Sequence, residues 1–432
     1  MQMEEPGSKD TSAKAATAAH PYGARLTILL LGNALMRIAG GASSVLTGLF
    51  LADMAKNGAP VNTALVGTLG TISFVAEVAG ALPMGLLSDA LSPRALMTGG
   101  AVIGAAAMQM FGMGGSTGIF FLSRAAEGLS AAATAPPMLA HLTDMTDRNP
   151  PLRARVMSYF EVSLLAGLGF GGLLGSELWR VAHRDAFTVL AVAYLLCSAL
   201  LHYGTAGSRA HDGQAAIAGF WRALSDHTLR RLAPVWVCVN AIIGLWLGPT
   251  LSFLMASKPH SGQFLAGIFA EQPQRMGWLL LGYALVFGTG VSLWSVVLPR
   301  VPLQRVLRIA LVAMLCVCAG LLMLNHSGAW SPDLQWAIGM VTAVGIMVES
   351  GFTPAALALL TGIVGAQAGQ GAAMGIYSML LGIGAIGGSL LAAGLGRWLA
   401  VDGLILGTLA MALVALVLLN RLRPEEAFHV AR

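Results

Sequence analysis

The chain has 432 residues, of which 56% are hydrophobic and only 10% charged. An ordinary soluble domain carries about a quarter of its residues as charged side chains, so this composition excludes one and makes lipid the solvent for most of the chain. The formal charge of +5 does not signal nucleic acid, because the basic residues sit in short hydrophilic gaps between apolar runs, a pattern that orients a chain in a membrane.

Residues 1–24 are polar and lack the apolar core of a signal peptide, so a disordered cytoplasmic tail is expected there. A hydrocarbon layer of about 30 Å takes about 20 apolar residues to cross as a helix. Six runs of that length start near Leu26, Val61, Ala95, Thr117, Arg155 and Ala186. Six more start near Leu232, Met276, Val306, Leu334, Gly371 and Gly403. The spacing predicts an all-α integral membrane protein with twelve transmembrane helices in two pseudo-symmetric six-helix bundles, 25–206 and 232–421. The hydrophilic interval 207–231 is the expected cytoplasmic linker, with an amphipathic stretch over Ile217–Leu232, and 422–432 is a cytoplasmic tail. With both termini inside, 17 of the 25 basic residues fall on the inner side, which supports an even number of crossings.

Glycine is abundant, at 54 residues, without a collagen period or a low-complexity linker. In a bilayer, small residues let helix backbones approach closely. A single offset of 217 residues places Pro137 on Pro354, Leu142 on Leu359, Met157 on Met374, Gly167 on Gly384 and Gly171 on Gly388, as a parallel repeat of two bundles requires. The four cysteines lie in apolar stretches without metal or redox spacing and are expected to be buried thiols. No phosphate-binding loop, nucleophile elbow, dinucleotide motif or zinc pattern occurs. No cofactor, metal or nucleic acid is therefore expected, and concentrating transport has to draw on an ion gradient.

Between the second and third predicted helices stands Gly85-Leu-Leu-Ser-Asp89-Ala-Leu-Ser-Pro-Arg94. It resembles the G-x-L-x-D-x-x-x-x-R loop signature of the major facilitator superfamily. Gly85 permits a tight helix exit, Asp89 suits a helix N-terminus and Arg94 adds inner positive charge. Arg124-Ala-Ala-Glu127-Gly128 resembles the R-x-x-x-G signature of the fourth helix in the same family. Gly167, Gly169, Gly171 and Gly172 are similar to the glycine-rich signature of its proton-coupled exporters, except that Gly169-Phe170 stands where that pattern has Gly-Pro. The resemblance implies transport by rocking of two bundles, with Gly85, Asp89 and Arg94 as a gating loop.

A charge at mid-bilayer costs about 2.5–3.5 kcal/mol on insertion scales, so intramembrane ionisable residues face a bundle interior or a water-filled cavity. Arg37, Glu77, Arg124, Glu127 and Glu349 are such residues. Arg124 and Glu127 are three apart and share a helix face where they can pair. Glu77 sits on a stripe of small residues with Gly67, Gly70, Ala81 and Gly85. Glu77 and Glu127 are the proton-coupling candidates, each also readable as half of a permanent structural pair. Arg37 and Arg124 alternatively bind an anionic group. In the second half, Glu349-Ser-Gly-Phe-Thr353-Pro354 interrupts a helix, and a proline there frees a carbonyl that polar atoms can satisfy. Glu349, Thr353, Asn240 and Tyr377 complete the binding candidates, although each aromatic or polar residue alone reads equally as packing.

The expectation is a monomeric, multi-pass protein of a bacterial inner membrane. It exchanges protons for a small organic or amphipathic solute, in the direction of efflux. Uptake or facilitated exchange of an organic anion is the first alternative. A transporter-like sensor or scaffold without turnover is the second, and a membrane-embedded enzyme has no catalytic constellation to support it.

Overall fold

The computed structural model describes residues 21–90, 92–146, 149–205, 227–368 and 370–421. The expected tails and most of the linker, including Ile217–Asp226, lie outside the described residues. In the first half the helices are α1 (Pro21–Lys56), α2 (Thr63–Ala90), α3 (Pro93–Met113), α4 (Thr117–Met145), α5 (Pro150–Ala182) and α6 (Ala186–Gly204). The second half holds α7 (His227–Trp246), α8 (Pro249–Ala256), α9 (Arg275–Val297) and α10 (Leu303–Asn325). It ends with α11 (Pro332–Glu349), α12 (Phe352–Ala368) and α13 (Gln370–Arg421).

Local chemistry sets several of these boundaries. Ser92 accepts a hydrogen bond from the Ala95 amide (3.3 Å) and Pro93 follows, starting α3; Asn149 accepts from Leu152 (3.1 Å) before Pro150, starting α5. A side-chain cap satisfies an amide that the helix leaves open, and proline at the first position loses nothing. The second half begins earlier than expected: His227–Leu232 belongs to α7, because Leu229 and Leu232 are buried in the core of that half rather than lying on a membrane surface.

Nine segments among the described residues are long and apolar enough to cross a membrane, and two of them, Arg155–Gly204 and Ile376–Arg421, each hold two helices. With α4 these make the twelve crossings that the sequence implies, the seventh formed by α7 and α8 and the tenth by α11 and α12. The chain is a multi-pass integral membrane protein.

The repeat is visible in the backbone. Only His183 and Ala400 among the described non-glycine residues have positive φ, both at 48°, and they stand 217 residues apart. Their ψ values are −119° and −125°, so the same tight turn joins the fifth helix to the sixth and the eleventh to the twelfth. A Cβ added at Gly167 would lie 2.6 Å from the Arg37 carbonyl oxygen and one at Gly171 2.6 Å from that of Ile38. In the second half, Gly384 would meet the Val237 oxygen at 2.7 Å, and Gly388 sits directly on the Ala241 carbonyl. Each half therefore closes its first helix onto its fifth through glycines, with backbone in contact with backbone.

Glycine contacts also join the halves. Gly48 of α1 presses on Pro249 and Ser252 of α8, Gly67 of α2 on Ala393, and Gly277 of α9 on Leu173 and Ser176 of α5. Ser44 donates to the Leu247 carbonyl (2.7 Å) and the Lys56 ammonium to the Ala270 carbonyl (2.6 Å). All of these lie toward the face that carries the 57–62 and 257–274 connections, so the bundle is closed at that face. Five rings, Phe50, Phe111, Phe120, Trp179 and Phe187, pack beneath it with centroids 4.7–6.2 Å apart. Removing the Lys56 hydrogen bond by Lys56→Met is expected to loosen this closure. Spin labels at Asn57→Cys and Glu271→Cys, in a background without the native cysteines, should then report a second, longer distance population.

Candidate functional site

Four helices of the first half bring ionisable side chains into one interior cluster. Arg37 comes from α1, Glu77 from α2, Arg124 and Glu127 from α4, and Tyr194 from α6. Arg124 is 5% exposed and its guanidinium donates to the Glu127 carboxylate one turn away. Arg37 and Glu127 are the charged groups that act on Glu77. Tyr194 feels Arg37, Arg124 and Glu127 together. The two guanidiniums and two carboxylates balance when all are ionised, which is how buried charges are made tolerable in a low-dielectric interior.

Packing fixes where these groups stand. Gly128, immediately after Glu127, lies on the Ser73 carbonyl and draws α4 against α2, one turn from Glu77. Gly104 of α3 faces the Tyr194 ring, where an added Cβ would lie 2.5 Å away. The Arg37 guanidinium stacks over Phe160 of α5 at 5.3 Å from the ring centroid, a contact worth about 0.5–2 kcal/mol depending on desolvation. Beside it the Asn33 amide donates to the Ser163 hydroxyl (2.7 Å) between α1 and α5. The Arg124 Nε is buried without a hydrogen-bond partner, so one strong donor in the cluster is unspent.

Arg94 lies away from this cluster and donates twice to the Thr205 carbonyl, by Nε at 3.1 Å and Nη2 at 2.5 Å. It thereby caps the C-terminal end of α6, where a cation complements the helix dipole. The surroundings of Gly85 and the side chain of Asp89 lie outside what is described.

The second-half candidates are not gathered in the same way. Asn240 holds the place of Arg37, since Gly384 packs on it as Gly167 packs on Arg37, and its amide donates to the Trp236 carbonyl (3.0 Å) within α7. Tyr377 is buried edge-on to Trp236 at 5.6 Å, and Phe352 at 6.5 Å completes that core. Glu349 and Thr353 flank the break between α11 and α12, apart from the aromatic core and both partly exposed. Trp246 donates to the Thr408 hydroxyl (2.7 Å), tying the seventh crossing to the twelfth. The four cysteines are free thiols; Cys197 and Cys318 are buried as expected, whereas Cys238 is half-buried and Cys316 is exposed on its helix, and no metal-holding group of His, Cys, Asp and Glu occurs among the described residues.

Three members of this arrangement escape sequence reading. Tyr194 and Phe160 lie in apolar runs that give them no distinguishing spacing. The break of the seventh crossing at Leu247–Gly248 does have a signal, the Gly248-Pro249 pair, since glycine followed by proline punctuates a helix.

Twelve crossings, a glycine-closed repeat and a buried charge cluster in one half define a two-bundle secondary transporter. The family model described as Major Facilitator Superfamily matches residues 26–331, and the chain belongs to that superfamily. Its fold is similar to a crystal structure of the nucleoside transporter NupG, with a TM-score of 0.70 and 12% identity over 92% of this chain and 97% of that one. It is also similar to a bacterial homologue of the human lysosomal transporter Spinster in an inward-facing, unoccupied conformation. There the TM-score is 0.66 at 15% identity, covering 93% and 95% of the two chains. No curated protein matches the sequence.

Proposed function

We propose that the protein is a proton-coupled transporter that exports a small organic or amphipathic solute by alternating access, with Glu77 and Glu127 carrying the coupling proton. The observation that carries this reading is the desolvated cluster of Arg37, Glu77, Arg124 and Glu127. A carboxylate that accepts a proton there releases its arginine, which then lacks a partner in a low-dielectric interior. Protonation and a change of helix packing are thereby linked. Gly128 makes that link mechanical, because α4 touches the α2 backbone directly. The protein works as a monomer in a bacterial inner membrane with both termini cytoplasmic, and the Lys56 face is then external.

The test is flux of labelled solutes through purified protein in liposomes under an imposed proton gradient. Glu77→Gln is expected to keep exchange between equal pools while losing accumulation against a gradient by at least tenfold. Gradient-driven accumulation at the wild-type level in both Glu77→Gln and Glu127→Gln would overturn the assignment. A second reading, exchange of an organic anion at Arg37 and Arg124, is favoured by the unspent Arg124 Nε. Anion flux indifferent to pH and lost in Arg37→Gln would select it.

A further inference from the structure

The tenth crossing is broken at its middle. α11 ends at Glu349, Ser350 and Gly351 turn, and α12 begins at Phe352. Ser350 and Gly351 still donate back to the Ile346 and Val348 carbonyls at 3.1 and 3.4 Å, so the break is a kink between two half-helices, and the ends of half-helices are where transporters hold ions and charged substrate groups. Two sides of the break are closed by packing. The Trp294 indole donates to the Val348 carbonyl (3.0 Å) and its ring lies against Gly351, while Phe352 enters the core with Trp236. Gly290 of α9 presses on Met347 and Ser350.

Glu349 remains unpaired in this setting. Among the described residues it makes no hydrogen bond and no ion pair, and no cationic side chain acts on it. Its charge acts on Tyr283 of α9 and Cys318 of α10, neither of which carries positive charge. The basic residues of the second half among the described residues, Arg230, Arg231, Lys258, Arg275, Arg300, Arg305, Arg308, Arg397 and Arg421, stand within two turns of a helix end or in connections. The contrast with the first half is chemical. There Glu127 is paired with Arg124 and Glu77 lies in the field of Arg37, whereas here a partly exposed carboxylate stands at the negative end of an 18-residue helix with no cation acting on it.

We infer that Glu349 is the subsite for a monovalent organic cation, a protonated amine or quaternary centre on an apolar body, bound at the α11–α12 break beside Trp294. This rests on the transporter reading and names the substrate class. An unpaired carboxylate at the negative end of α11 supplies the countercharge, and the partly exposed Trp294 indole takes the body of the solute. The first-half cluster, already balanced, is left to exchange the proton.

The test uses the full chain in detergent with tritiated tetraphenylphosphonium as the cation and tetraphenylborate as its anionic isostere. Wild-type protein is expected to bind the phosphonium saturably, with the borate a poor competitor. Glu349→Gln should weaken phosphonium binding at least tenfold, and Glu349→Asp, which keeps the charge, should retain most of it. Asp333→Asn, which removes an exposed carboxylate at the start of the same helix, should bind as wild type. Equal binding by wild type and a Glu349→Gln protein of unchanged melting temperature overturns the inference. So does folded wild type that binds no phosphonium while still moving protons with other solutes, an outcome that leaves the transporter reading standing and assigns Glu349 to a proton alone.

Discussion

Arg124→Leu is expected to abolish transport and to lower the unfolding free energy by about 3–5 kcal/mol, the cost of leaving a buried carboxylate without its partner. The Arg124 guanidinium is bonded to Glu127, and both side chains are nearly removed from solvent. Glu127 then has only Glu77 and the remaining Arg37 within the cluster, so a repulsion replaces an attraction. The double variant Arg124→Leu, Glu127→Leu removes both charges and should recover most of the lost stability, because a buried pair contributes little net energy over an apolar replacement. Transport should not return, because the double variant has lost a proton acceptor as well. Thermal unfolding in detergent, read beside flux in liposomes, separates the two effects. A double variant as unstable as the single one would show that the pair does structural work beyond charge balance.

The second large effect comes from two adjacent glycines. Gly388→Val should prevent folding, because its Cβ would fall on the Ala241 carbonyl where the eleventh crossing meets the seventh. Gly387→Val should fold and unfold as wild type, since no atom lies within 4 Å of a Cβ built there. Helix propensity treats the two positions alike and is worth about 1 kcal/mol at most between glycine and other residues. A difference between them therefore measures the crossing itself. Gly171→Val probes the equivalent contact of the first half, against Ile38 and Ala42. Fluorescence-detected size exclusion checks all three, with a monodisperse peak expected for Gly387→Val alone.

Much of this architecture is legible in the sequence because the bilayer imposes length and apolarity on every crossing. The predicted starts at Thr117 and Ala186 coincide with α4 and α6, and the 217-residue offset reappears as paired glycine contacts and as the matching turns at His183 and Ala400. That the last pair would share a turn was not readable, since neither histidine nor alanine signals positive φ. The charge cluster was half legible. Arg124 and Glu127 pair along one helix, so their spacing reveals them, whereas the approach of Glu77 and Arg37 depends on how glycines let four helices meet. Arg94 was legible as a loop cation but not as the cap of α6, a contact that spans 111 residues. The contacts of Asn240 and Tyr377 with Trp236, a hydrogen bond within α7 and an edge-on ring pair, have no signal in the spacing of these residues.

The most direct test of coupled transport through the first-half cluster is luminal pH, followed with a trapped dye in liposomes holding the purified chain as organic cations, anions and neutral amphiphiles are added in turn. At least one solute is expected to evoke proton movement in wild type and none in Glu77→Gln or Glu127→Gln. Solute that equilibrates in wild type and both variants without any proton movement would contradict it and leave a facilitator whose buried carboxylates serve only the fold.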